Sequence, residues 1–184
     1  MYENIEEIKD TIINCQKCKL CKTRQNIVFG EGNINAKIMF IGEGPGGDED
    51  KQGRPFVGKA GQLMDKAFDI VGIKREDVYI ANIVKCRPPM NRDPEEDEIK
   101  SCINYLRNQV MVIKPKIIVL LGRISMQNIL GKEYKITKSR GIWAPKKGIL
   151  YLPTWHPAAL LRDETKKIDF VHDLMRVVEK EKEL

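Results

Sequence analysis

Histidine is nearly absent from this chain, with two in 184 residues. Imidazole chemistry is therefore confined to His156 and His172. No apolar run approaches the ~20 residues of a membrane span. The start, "MYENIEEIKD", lacks the basic-then-apolar pattern of a secretion signal. Both absences point to a cytoplasmic protein. No glycine loop ends in the Gly-Lys-Ser/Thr of a Walker motif, which argues against a mononucleotide enzyme. Internal repeats and low-complexity segments are missing as well.

What remains is an ordinary globular composition, 42% hydrophobic and 32% charged, long enough for a real core. We expect one domain over residues 1–184. The net charge of +6 is compatible with a polyanionic partner, most simply nucleic acid. Abundant Lys, Glu and Ile hint at a thermophile.

Four short apolar runs read as buried strands: 37–42, 78–84, 116–122 and 149–154. Helical patterns lie between them. In "GQLMDKAFDIVG", Leu63, Ala67, Phe68 and Val71 share one face. In "DPEEDEIKSC", Asp93 reads as an N-cap with Pro94 at N1. Strands alternating with helices predict an α/β fold with a mainly parallel sheet, whose ligands bind at the carboxyl ends of the strands.

The loops at those ends are "GEGPGGDED", "NIVKCRPP", "GRIS" and "TWHPAALLR". The first looks like a phosphate loop, yet acids crowd it. Glu43 directly follows a strand, whereas Asp48, Glu49 and Asp50 read as a solvated turn. A magnesium site on those three acids is the alternative. Asn82 ends the second strand. Its amide offers a donor and an acceptor, matching the O4 and N3–H edge of uracil and opposing that of cytosine. A lone Asn there more often caps a turn. His156 stands at the fourth strand's end. The apolar tip Ala158, Ala159, Leu160, Leu161 is odd on a surface unless it wedges into a base stack, with Arg162 near phosphate.

Five cysteines occur without a secretion signal: Cys15, Cys18, Cys21, Cys86 and Cys102. Metal ligation is then preferred to disulfides. One CxxC pair plus two remote thiols makes four soft ligands, a count that zinc and a 4Fe–4S cluster both satisfy. Spacing leaves open whether Cys15 with Cys18 or Cys18 with Cys21 supplies the pair.

"GEGPGGDED", "GRPFVGKAGQ", "NIVKCRPP" and "HPAALLR" stand in the same order as in family 4 uracil-DNA glycosylases, the iron–sulfur enzymes of thermophiles. The chain resembles that family from Cys15 to Arg162. Glu43 separates it from family 5, and the uninterrupted "FVGKAGQ" from the uracil-crosslinking relatives. The resemblance implies a three-layer α/β/α sandwich around a four-stranded parallel sheet. It implies a structural 4Fe–4S cluster on Cys15, Cys18, Cys86 and Cys102, two of them from the segment 1–25. Cys21 falls where the family needs no cysteine.

By the same resemblance, Phe56 stacks on a flipped uracil, Asn82 reads its edge and His156 bonds its O2 side. The Glu43–Gly44–Pro45 turn borders the glycosidic bond, Glu49 flanks C5, and Ala158 to Arg162 enter the DNA. The implied activity is monofunctional hydrolysis of uracil from single- or double-stranded DNA, leaving an abasic site and needing no divalent metal. Glu43 and His156 would be catalytic, in a monomer. No sliding-clamp motif is evident in the tail "EKEKEL". A non-catalytic iron–sulfur DNA-binding module is the rival reading. It would have no need for Glu43, Phe56, Asn82 and His156 together.

Overall fold

The computed structural model describes residues 2–184. Six strands form one sheet: β1 (Glu31–Gly32), β2 (Ile38–Gly42), β3 (Tyr79–Asn82), β4 (Ile117–Leu121), β5 (Ala144–Lys146) and β6 (Ile149–Thr154). Their spatial order is β1-β3-β2-β4-β6-β5. The inner four run parallel, as the apolar runs predict. The two antiparallel edges escaped the sequence reading because both are short. β5 and β6 form a hairpin through Lys147 and Gly148, both at positive φ, without the Asn-Gly pair that usually signals such a turn.

The helices are α1 (Ile5–Ile12), α2 (Gly47–Gln52), α3 (Lys59–Val71), α4 (Glu96–Ile113), α5 (Gly122–Ile129), α6 (Ile136–Ser139), α7 (Pro157–Arg162) and α8 (Thr165–Lys182). Strand residues alternate between two apolar layers. Met39, Ile41, Ile118 and Leu120 face the side of α1 and α4, with Ile8, Ile12 and Leu106. Ile38, Phe40, Val119 and Leu121 face that of α3 and α8, with Phe68, Phe170 and Leu174. Sheet and helices thus make three layers, and the inner strands are apolar on both faces for that reason. No helix among the described residues is long and apolar enough to cross a membrane.

Two local expectations are corrected. The cap of α4 is Glu95, not Asp93: Glu95 accepts from the Glu98 backbone while Glu98 Oε2 accepts from Glu95 N–H at 2.8 Å. This reciprocal box moves the helix start two residues on, and Asp93 pairs with Arg123 instead. The acidic triplet lies in α2 rather than in a turn. Asp48 is exposed, but Asp50 is buried. Asp50 Oδ1 accepts from Gln25 N–H at 2.9 Å and Asn26 N–H at 3.2 Å, anchoring the segment that follows the first cysteines.

Hydrogen bonds to a buried carboxylate are strong, and their donors are left unpaired when it is removed. Asp50→Ala is expected to lower the unfolding free energy by ~2–4 kcal/mol, read from denaturant titration. An unchanged midpoint would show that Asp50 anchors nothing.

Candidate active site

A cleft of about 640 Å³ opens at the carboxyl ends of β2, β3 and β6. Glu43, Gly44, Pro45, Glu49, Phe56, Asn82 and His156 all line it. These residues span more than 110 positions, and the parallel strands bring Glu43, Asn82 and His156 to one end.

Asn82 ends β3 and is 1% exposed. Both its Oδ1 and Nδ2 are buried without a hydrogen-bond partner. Such a group normally costs free energy, so an unpaired amide on a cleft wall marks a place for a ligand. Gly42 sits beside it in register. A Cβ there would lie 2.4 Å from Asn82 Oδ1 and 2.6 Å from the Phe56 ring. Glycine ends this strand because two side chains occupy the space.

Phe56 takes a left-handed conformation with φ 50°. That backbone is unfavourable for an aromatic residue and needs support. Arg75 supplies it, donating from Nη1 to Phe56 O at 3.1 Å and from Nη2 to Pro55 O at 2.5 Å. Glu31 and Asp65 hold the guanidinium in turn. Gly61 in α3 completes the fit, because a Cβ there would lie 2.0 Å from Phe56 O. The Phe56 ring stands 5.6 Å from that of His156.

Glu49 Oε1 accepts from Val57 and Gly58 N–H, each at 2.8 Å. It lines the cleft and also braces the turn that carries Phe56.

His156 caps α7, its Nδ1 accepting from Ala158 N–H at 3.1 Å. The ring proton is therefore on Nε2. Burial lowers its pKa to about 4, Glu49 opposing and Arg162 assisting. At neutral pH it is an uncharged imidazole with one donor. Glu43 shifts the other way, to about 7, chiefly by burial, with Asp93 raising and Arg123 lowering it.

The rim adds residues that no sequence motif marks. "GRIS" contributes Arg123, which lines the cleft and pairs with Asp93, closing its edge between α5 and the turn before α4. A cation immediately after a strand end was the available signal. Arg75 gave none, since its partners lie 10 to 44 positions away in sequence. In α7, Ala158, Ala159 and Arg162 line the cleft and Leu161 is 50% exposed. Leu160 departs from expectation. It is 1% exposed and packed with Phe170 and Leu174, so it anchors α7 and is not available as a wedge. His172 is exposed on α8, outside the cleft.

Behind the cleft, Cys86 and Cys102 are buried and Cys15 and Cys18 pack against the same cluster. Cys15 and Cys18 act electrostatically on Cys86, and Cys86 and Cys18 on Cys102. Cys21 acts on Cys18. Burial raises the pKa of Cys18 and Cys86, and that of Cys102 to about 12. Arg24 Nη1 donates to Cys86 Sγ at 3.4 Å, and Lys85 N–H to Cys102 Sγ at 3.2 Å. Tyr105 Oη is buried beside the Cys15 thiol, and burial first and Cys15 second raise its pKa. Among the described residues, no three His, Cys, Asp or Glu side chains close around a single metal ion. Four soft donors and N–H groups aimed at sulfur fit an anionic iron–sulfur cluster.

Residues 29–177 match the family described as the Uracil DNA glycosylase superfamily. The chain is 48% identical to the type-4 uracil-DNA glycosylase of Sulfurisphaera tokodaii, over 96% of this chain and 84% of that one. It is 48% identical to that of Saccharolobus solfataricus, over 96% and 86%. It is 44% identical to that of Thermotoga maritima, over 90% and 88%.

A carboxyl whose pKa rises from 4.5 to about 7 on folding opposes folding when ionised. The parent therefore carries a penalty that is absent below pH 4.5 and complete above about pH 7. Glu43→Gln is expected to stabilise the protein by ~1–3 kcal/mol at pH 8 and by little at pH 4. Denaturant unfolding at both pH values measures this. A gain of equal size at both would rule out burial of an ionising Glu43.

Proposed function

The chain belongs to the uracil-DNA glycosylase superfamily, on its type-4 branch, and from that premise we propose how its cleft releases uracil from DNA. The protein is a DNA-repair enzyme, a hydrolase of N-glycosyl bonds. The reading of its site rests above all on the unpartnered amide of Asn82. Uracil flipped into the cleft would place O4 against Nδ2 and N3–H against Oδ1. Cytosine would set donor against donor, so a buried, fixed amide rejects it at high cost.

In this reading Phe56 stacks on the base, and Glu49 holds the stacking turn while flanking C5. Breaking the bond from N1 to C1′ puts positive charge on the sugar and negative charge on the base. His156 Nε2–H donates toward O2 as the charge develops there. An imidazole that is neutral in the ground state is suited to this, since its donor is fixed and no proton need leave. Glu43, with Gly44 and Pro45, borders the sugar. Its carboxylate offsets the oxocarbenium charge and orients water for attack at C1′. A pKa near 7 makes it also a competent base for that water. Ala158, Ala159, Leu161 and Arg162 face the DNA backbone and the emptied stack.

We assign Cys15, Cys18, Cys86 and Cys102 as ligands of a 4Fe–4S cluster with a structural role. Cys21 is left outside the set because the resemblance to the type-4 family needs no cysteine at its position. When bound, such a cluster cross-links the N-terminal segment to the loops around the cleft. We treat residues 1–184 as one catalytic domain that acts as a monomer in the cytoplasm, without divalent metal.

A uracil-containing oligonucleotide incubated with the protein and EDTA is expected to yield alkali-labile abasic sites. His156→Ala and Asn82→Ala should each slow this release ~100- to 1000-fold while keeping the brown colour of the cluster. Parental rates in both would refute the site. Cys86→Ala and Cys102→Ala are expected to lose visible absorbance and to melt at lower temperature together. Retention of both properties would refute the ligand set.

A further inference from the structure

Met90 is 95% exposed, more than any other large hydrophobic side chain among the described residues. It also adopts φ 56°, and so does Asn91. Two successive non-glycine residues in the left-handed region are unfavourable. A strained backbone that displays a large apolar side chain to water gains nothing for folding. Such outliers gather at ligand clamps.

The turn is held firmly. Asn91 N–H donates to Pro88 O at 3.1 Å and Arg92 N–H to Pro89 O at 3.2 Å. Arg87 Nε donates to Asn91 Oδ1 at 2.8 Å. Arg92 grips the buried Glu98 with two bonds, at 2.9 and 2.7 Å. Pro88 and Asn91 to Asp93 form one wall of the cleft, and Met90 projects from it. Leu161 leaves the separate wall made by Ala158, Ala159 and Arg162. Arg87, bonded among the described residues only to the Asn91 amide, supplies a cation beside the tip.

We propose that Met90 is a second apolar wedge, entering the base stack of duplex DNA next to the flipped nucleotide. This rests on the glycosylase reading of the cleft. A rigid turn presents the side chain at no further ordering cost, and a thioether packs well against aromatic faces. Apolar wedges of this kind offset the cost of unstacking a base step. A single strand has little stack to open, so the contribution belongs to duplex substrate.

The test compares the parent, Met90→Gly and Met90→Leu on one uracil oligonucleotide, single-stranded and as a duplex with 2-aminopurine beside the uracil. Met90→Gly removes both the wedge and the strain. It is expected to melt no lower than the parent and to act on single strands within twofold of the parental rate. On duplex it should be slower by about tenfold, with a weaker 2-aminopurine signal on binding. Met90→Leu, still apolar, is expected to keep the parental ratio. An unchanged duplex rate in Met90→Gly, or equal losses on both substrates, would overturn the wedge. A parent that releases no uracil from either substrate would instead overturn the glycosylase reading.

Discussion

Helices cover both faces of the four parallel strands, so every residue along their length must be apolar or enclosed. Chemistry can appear only where a strand stops. Gly42, Asn82 and Thr154 end three of these strands, and the reactive residues sit at or one to two positions beyond them. The cleft follows from this burial constraint. Close contact between strand ends then refines it: a missing Cβ at Gly42 admits the Asn82 amide and the Phe56 ring to the same small volume. The same constraint makes the site rigid, because its floor is the end of the core.

Much of this was legible in the sequence because strand ends are legible. Glu43, Asn82 and His156 stand next to apolar runs, where a polar residue must either cap a turn or meet a ligand. The parallel inner sheet followed from the same runs. Asp50 and Glu49 were less accessible to reading. Neighbouring acids on a short helix look alike in sequence, yet one is buried on the backbone of Gln25 and Asn26 and the other braces Val57 and Gly58. Leu160 and Leu161 show the same problem, since one residue of helical rotation separates core from solvent. Arg75 and Arg123 act through partners that only tertiary structure brings near.

The cysteines connect the N-terminal segment to one wall of the cleft. Cys86 and Cys102 bracket the stretch that contains Pro88, Met90, Arg92 and Asp93, the residues of one cleft wall and its tip. Lys19, next to Cys18, pairs with Glu95 on the same stretch. Arg92 and Glu98 tie it to the start of α4. A wall fixed at both ends and braced in the middle can hold backbone conformations that a free loop would relax. This gives the proposed cluster a physical purpose without a part in bond cleavage.

The hydrogen bond from Ala158 N–H to His156 Nδ1 serves two ends at once. It starts α7, the helix proposed to face DNA, and it decides which ring nitrogen keeps the proton. Those two states are one variable. If contact with DNA tilts α7 and breaks this bond, the imidazole loses its preference between tautomers, and the donor at Nε2 is no longer assured. The enzyme would then register a poorly seated duplex as a misplaced hydrogen atom. On the proposed reading of the site, the seating of α7 and the readiness of the imidazole would share a single bond.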